Sequence, residues 1–215
     1  MQDFPFFTTD FGVSSLVLRE IPYKKAAYIR ILDVQPEGIT DHLAECISFC
    51  RMAGAEQIYA AGIGMESWPE SAAVLEMRGT AVVDKELLAC LFPVTEQTVS
   101  HWRELHNKAM ASVDHSGTLE KKDEKRILES TGAYFIHENG QLLGIGWLED
   151  GKLLAVAAAV PGAGTKVMHT LMSTWEGGDI ALEVASTNEK AIRLYEKLGF
   201  VKTRLLTQWH QVFPA

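Results

Sequence analysis

Apolar residues alternate at Ile180, Leu182 and Val184, the period of a half-buried strand. After a polar corner, Ser186-Thr187-Asn188, the period changes. Ala191, Leu194, Tyr195 and Leu198 recur at three- and four-residue spacing, which predicts a short amphipathic helix. Thr187 or Asn188 supplies its cap oxygen, Gly199 stops it in a left-handed conformation, and Phe200 folds back onto its last turn. In an α/β chain, a strand whose C-terminal end opens onto a helix start is a common place for a ligand.

Upstream, Met1 to about Val13 is Phe-rich with Pro5 and Gly12, the composition of an irregular arm. Ala26–Val34 predicts a strand, broken by Gln35-Pro36-Glu37-Gly38. Thr40 or Asp41 then caps a helix to about Ala53, with Leu43, Cys46, Ile47 and Cys50 on one face and Gly54 as its stop. Gln57–Ala61 returns as a strand, and strand-helix-strand order favours parallel pairing. Ala61-Gly62-Ile63-Gly64-Met65 lacks the third glycine of a dinucleotide fingerprint and reads as a turn. Ser67–Arg78 predicts a helix with Ala73, Val74 and Met77 inward.

In the second half Leu87–Val94 predicts a strand. Thr95 caps a helix to about Ala111, with Val99, Trp102, Leu105 or His106, and Ala109 as its buried stripe. The charged run Leu119–Ser130 is a solvated helix face. Ala133–His137, Gln141–Leu148 and Lys152–Val160 are joined by Asn139-Gly140 and Asp150-Gly151, so a three-stranded antiparallel meander is expected. Its third strand is apolar throughout, as in a strand buried on both faces. Pro161-Gly162-Ala163-Gly164-Thr165 leads into a helix from about Lys166 to Trp175, and Val201–Val212 closes the chain with one or two strands.

Totals narrow the function classes. A net charge of −8 over 215 residues argues against a general nucleic-acid or anionic-membrane surface, and agrees weakly with a cationic substrate such as an amine. The longest apolar run, Leu153–Val160, is far shorter than a membrane helix of about 20 residues. No Lys or Arg precedes Arg19, so the charged start of a signal peptide is missing, and three cysteines without framework spacing fit a reducing compartment. A cytoplasmic, soluble monomer or homodimer is expected, with neither nucleic acid nor membrane as partner. His42, Cys46 and Cys50 share a helical face at four-residue spacing, but a metal site needs further ligands, so a structural reading is preferred and no metal is expected.

The chemistry lies in the order of parts. A strand, a small-residue loop and a helix start form an anion site, because free N–H groups of the first turn and the helix dipole converge there. Antiparallel meander, strand, Gly-rich loop, helix and strand, followed by Asn188, Ala191, Tyr195 and Leu198-Gly199-Phe200, resemble a GNAT-type N-acetyltransferase. The likeness runs over roughly Leu87 to Val212. It implies an α/β (α+β) fold with a mixed, largely antiparallel central sheet flanked by helices, acyl-CoA N-acyltransferase-like. It also implies acetyl-CoA as co-substrate and a small-molecule or peptide amine as acceptor. By the same resemblance the loop residues Ala163, Gly164, Thr165, Lys166, Val167 and Met168 bind the pyrophosphate, while Ala158 and Val160 at the strand end pair with the pantetheine arm. Asn188 helps to hold the cofactor and Tyr195 protonates the departing thiolate.

The loop departs from the family's Q/R-x-x-G-x-G/A pattern, with Ala163 in the first position and Lys166 and Met168 where glycines stand. Met168 would crowd a pyrophosphate, and Lys166 would add a phosphate contact. For a general base, Glu183 is the nearest carboxylate in sequence, with a structural role for it and water-mediated deprotonation as alternatives. The strand-helix-strand order of Ala26–Ala61 suggests that residues 1–85 are a degenerate half of the same fold, ahead of a GNAT-like domain over 86–215. Two other readings stay open: a non-catalytic acyl-CoA-binding or interaction protein, and a nucleotide-binding α/β domain of other chemistry.

Overall fold

Residues expected to form an irregular arm instead pair as strands: β1 (Phe6–Thr8) lies antiparallel to β2 (Gly12–Val17), closed by Thr9 N–H to the Gly12 carbonyl. β2 has a buried side, with Ser14 and Leu16 enclosed, and pairing satisfies the backbone that an irregular arm would leave open. The computed structural model describes residues 5–214, and residues 1–4 of the expected arm lie outside them. The chain divides into two compact units, one running up to Ala73 and resuming at Thr207, the other Val74–Leu206. These borders differ from a division at 85/86.

In the first unit a single turn, α1 (Ile21–Lys24), leads to β3 (Ala26–Val34), which is antiparallel to β2. A 3-10 turn over Pro36–Gly38 precedes α2 (Ile39–Met52), and β4 (Gln57–Gly62) returns parallel to β3 as expected. α2 buries Leu43, Cys46 and Cys50, and Gly54 at φ +99° follows its end. Neither Thr40 nor Asp41 caps it; Gly38 holds the N-cap position. Gly62 and Gly64 turn the chain with φ of +122° and +82°.

β5 (Glu70–Thr80), which belongs to the second unit from Val74 on, is a strand where a helix was expected over Ser67–Arg78. Its residues are good helix formers, but seven register pairs with β10 (Asp179–Ala185), from Thr80↔Asp179 to Val74↔Ala185, override that preference. β6 (Cys90–Pro93) is shorter than expected. α3 (Val99–Met110) follows, with His106 rather than Leu105 in its buried stripe beside Val99 and Trp102. A 3-10 turn over Lys121–Asp123 leads to α4 (Glu124–Glu129).

The meander is as expected: β7 (Ala133–Glu138), β8 (Gln141–Glu149) and β9 (Lys152–Ala158), all antiparallel. Both of its turns have positive φ at two residues, Asn139-Gly140 and Asp150-Gly151. α5 (Gly164–Met172), β10, α6 (Glu189–Lys197) and β11 (Val201–Phe213) complete the chain. The order in the second unit is β11, β5, β10, β9, β8, β7, β6, and the later part of β11 pairs with β4 in the first unit. A mixed, largely antiparallel sheet with flanking helices is the observed fold class.

One core gathers Val167, Met168 and Leu171 of α5, Ile180, Leu182 and Val184 of β10, and Tyr195 and Phe200. Another packs Trp102 and Ile127 on Phe135, Ile145 and Trp147. β9 packs against a core on each face, as expected, with Leu153 and Val156 on one and Ala155 and Ala157 on the other; its last residue, Ala158, is exposed, and Leu154, between two buried residues, is 37% exposed. The reason is a bulge. Trp147 faces Ala155 while the next residue, Leu148, faces Leu153, so Leu154 is an extra residue in β9.

Candidate functional site

β9 and β10 run parallel, but only Lys152 with Ala181 and Leu153 with Leu182 are in register. Beyond them, starting at the Leu154 bulge, the two strands separate. Ala155–Ala158 of β9 and Glu183–Ala185 of β10 thus flank an open wedge. Ala159 N–H donates to Leu143 on β8 at 2.7 Å. In an antiparallel ladder the direction of the backbone groups alternates, so Val156 and Ala158 turn N–H and C=O away from β8, into the wedge. An extended chain laid there would find a strand edge with free donors and acceptors. Ala158 had been singled out in the sequence. Val156, two residues earlier, follows from the same alternation and had been missed.

The start of α5 stands at the end of β9. Gly162 turns the loop at φ +85° and has open space where a side chain would stand. Ala163, the N-cap residue, donates its N–H to the Val160 carbonyl, and its own carbonyl accepts from Val167. The amides of Gly164, Thr165 and Lys166 precede the first intrahelical bond and form a cluster of donors. The other loop residues singled out in the sequence serve differently. Val167 and Met168 are fully buried in the core, so Met168 points away from the loop and does not crowd it. Lys166 Nζ pairs with Glu138 Oε1 at 2.5 Å, so its charge is already partnered at the β7–β8 turn. Val160 contributes its carbonyl to the loop turn.

At the C-terminal end of β10, Asn188 Oδ1 accepts from Ala191 N–H at 3.2 Å and caps α6. Thr187 donates its hydroxyl to Asp114 Oδ2 at 2.7 Å, so the segment after α3 is tied to this corner. Tyr195 is 7% exposed, and its ring lies in the core 6.0 Å from Phe200. No described residue hydrogen-bonds its hydroxyl. Burial pushes the phenol up to about 12, so it stays protonated across the physiological range.

Glu183 is exposed and forms no ion pair among the described residues. It faces Glu76 directly across β5 and β10. Glu76 is nearly buried and bonded by Arg78 at 2.9 Å, Thr203 at 2.8 Å and Arg204 at 3.0 Å. These bonds, the one from Arg78 first, hold its carboxyl down at about 2. No sequence signal marked this cluster, because Glu76 lay in a segment with helical composition.

The face with metal-ligand spacing lies elsewhere. His42 is fully buried, with Thr9 Oγ1 2.8 Å from Nδ1 and Ser14 Oγ 2.7 Å from Nε2. Burial raises the thiols of Cys46 and Cys50 to about 11 and 12. Among the described residues no three potential metal ligands converge, and no helix is long and apolar enough to cross a membrane.

Strand order, the parallel β9–β10 pair opening into a wedge, and the helix start beside it together specify an architecture. The fold is that of the GCN5-related N-acetyltransferases. A GCN5-related N-acetyltransferase from Sphaerobacter thermophilus superposes with a TM-score of 0.54 at 14% identity, over 94% of this chain and 77% of its own. A putative acetyltransferase from Pyrococcus horikoshii gives 0.56 at 14%, over 94% and 69%. A functionally unknown conserved protein from Staphylococcus epidermidis gives 0.58 at 12%, over 98% and 94%. At such identities the likeness carries the GNAT fold alone. No family model matches the sequence, and no curated protein matches it. Within the GNAT fold, Val156 and Ala158 edge the wedge from β9, Glu183 stands on β10 where the wedge opens, and the α5 start follows the end of β9.

Proposed function

We propose that this chain is an acyl-CoA-dependent N-acyltransferase that moves an acetyl group from acetyl-CoA to a primary amine by direct attack. The observation that carries this reading is the early separation of β9 and β10 beside a helix start with free amides. The wedge suits an extended pantetheine arm, and Val156 and Ala158 would hydrogen-bond it as a neighbouring strand does. Gly164, Thr165 and Lys166 N–H groups would hold the pyrophosphate. With Lys166 paired to Glu138, affinity rests on backbone donors more than on charge.

The thioester supplies an activated acyl carbon. Attack forms the N–C bond and breaks C–S, and the carbonyl oxygen gains negative charge in between. A β9 amide facing the wedge is suited to stabilise it. Tyr195 gives its proton to the departing sulfur and regains one from solvent, and burial keeps it in the donor form. The amine must be neutral to attack. Glu183, exposed beside the wedge, receives the ammonium proton directly or through water.

We also propose that residues 1–85 descend from a second copy of this half. β3, α2 and β4 repeat the order and parallel pairing of β9, α5 and β10, and Leu32 is an extra residue in β3 as Leu154 is in β9. There β3 and β4 stay paired over six residues, and only Asp33 and Val34 follow the bulge. The start of α2 is also covered: a Cβ on Gly38 would lie 2.6 Å from Phe11. Among its described residues the first unit therefore offers no comparable wedge.

Thiol release from acetyl-CoA across an amine panel tests the enzymatic reading. Binding without release on any amine would favour a non-catalytic acyl-CoA-binding protein instead.

A further inference from the structure

The sheet face that carries Glu183 has an unusual charge arrangement. Directly opposite residues in an antiparallel pair share a face, so Glu183 and Glu76 point the same way, with Cβ atoms about 5 Å apart. Alone, two carboxylates at that distance would repel. Glu76, however, is already neutralised by Arg78 from its own strand and Arg204 from β11. The guanidiniums are only partly used. Arg78 engages Glu76 through Nε and Nη2, and Arg204 through Nη2, while their side chains remain 53% and 64% exposed. The face therefore presents Glu183, which has no ion-pair partner, next to two guanidiniums with donors to spare; Asp179, farther along the same face, is bonded by Thr80 and adds its charge near Arg78. Glu183 is also the first β10 residue past the last register pair with β9, where the wedge opens.

We propose that the acceptor is an amine that also carries a carboxylate, an amino acid in the simplest case. This rests on the acyltransferase reading above and names the acceptor class for that site. The amino group is held by Glu183 at the mouth of the wedge, positioned to attack the thioester. The carboxylate lies over Glu76 and accepts hydrogen bonds from Arg204 and Arg78. Guanidinium suits the task, since its planar donors can serve Glu76 on one edge and a ligand carboxylate on another. Glu76 fixes both arginines, so the acceptor site is ordered before the acceptor arrives. An amine without the carboxylate would leave the guanidinium donors to water and gain nothing from them.

The test is thiol release from acetyl-CoA with matched acceptors: phenylalanine against phenethylamine, tyrosine against tyramine, and lysine against cadaverine. The amino acid should be preferred in kcat/KM by roughly tenfold or more in at least one pair, the size expected for a hydrogen bond to a charged group. Arg204→Gln should abolish that preference by raising KM for the amino acid more than for the matched amine; unaltered circular dichroism would show that the variant folds. Equal or better use of the amine in every pair would overturn the proposal while leaving the acyltransferase reading intact. So would a preference that survives Arg204→Gln, alone or combined with Arg78→Gln. If no acceptor releases thiol, the acyltransferase reading fails, and calorimetry of the same pairs on the CoA-saturated protein decides the present point. Selective binding of the amino acid, lost in Arg204→Gln, would support it, and absence of selectivity would overturn it.

Discussion

Leu153 and Leu182 are the last residues at which β9 and β10 lie in register. Both are buried in the same core, so the join is firm, and the very next residue of β9 is the Leu154 bulge. A bulge increases local twist and bends the strand, which turns β9 away from its parallel neighbour. The backbone that loses its partner there must find another. A wedge of unpaired strand edge is stable in water, and under the proposal it would take an extended ligand at little cost in reorganisation.

Tyr195→Phe should lower kcat by roughly 10²-fold or more, as expected for loss of a general acid, with KM for acetyl-CoA nearly unchanged. The ring keeps its place against Phe200, so the melting temperature should hold. Tyr195→Ala, by contrast, should destabilise by about 3 kcal/mol. With the phenol pushed up to about 12, the wild-type rate should show no alkaline loss from Tyr195 until pH exceeds 10. Steady-state kinetics from pH 7 to 10.5 checks this.

Glu76→Gln should destabilise the protein at neutral pH. The folded carboxyl is held down at about 2, below its ordinary 4.5, so the stability it contributes is present above 4.5 and is lost as pH falls toward 2. Urea midpoints of wild type and variant should therefore differ most at pH 7 and draw together between pH 4.5 and 2.

A chain that starts at residue 86 should fail to fold. It lacks β5, which supplies all seven register partners of β10 on one side, from Val74↔Ala185 to Thr80↔Asp179. Circular dichroism with thermal melting should show no cooperative transition, whereas the full chain should melt cooperatively.

Glu138→Gln should tighten acetyl-CoA binding by a few fold. It frees Lys166 and removes a negative charge near the α5 start, and surface pairs of this kind are worth up to about 1 kcal/mol. The gain should shrink at high salt. Calorimetry at two ionic strengths measures it.

The second half of the chain was legible because its signals are local. Asn139-Gly140 and Asp150-Gly151 each specify a tight turn, Asn188 caps and Gly199 stops α6, and alternation marks β10. β5 was misread because its Ala, Glu, Leu, Met and Arg residues favour helix, while its actual partner lies about a hundred residues away. Leu154 could not be marked as a bulge, since an extra residue is defined only against its neighbour strand. Lys166 and Met168 looked like obstacles in the loop. Helix phase decided otherwise: Met168 faces the core, and Lys166 reaches the β7–β8 turn.

The most direct measurement is calorimetric titration of acetyl-CoA into the wild-type chain and into Ala158→Pro. That substitution removes an N–H facing the wedge, one that β8 does not use, so circular dichroism should be unchanged. The expected result is saturable binding to wild type at millimolar cofactor or below, weakened by roughly tenfold in the variant. No binding at millimolar acetyl-CoA, or equal binding by a folded Ala158→Pro, would contradict the assignment of the wedge between β9 and β10.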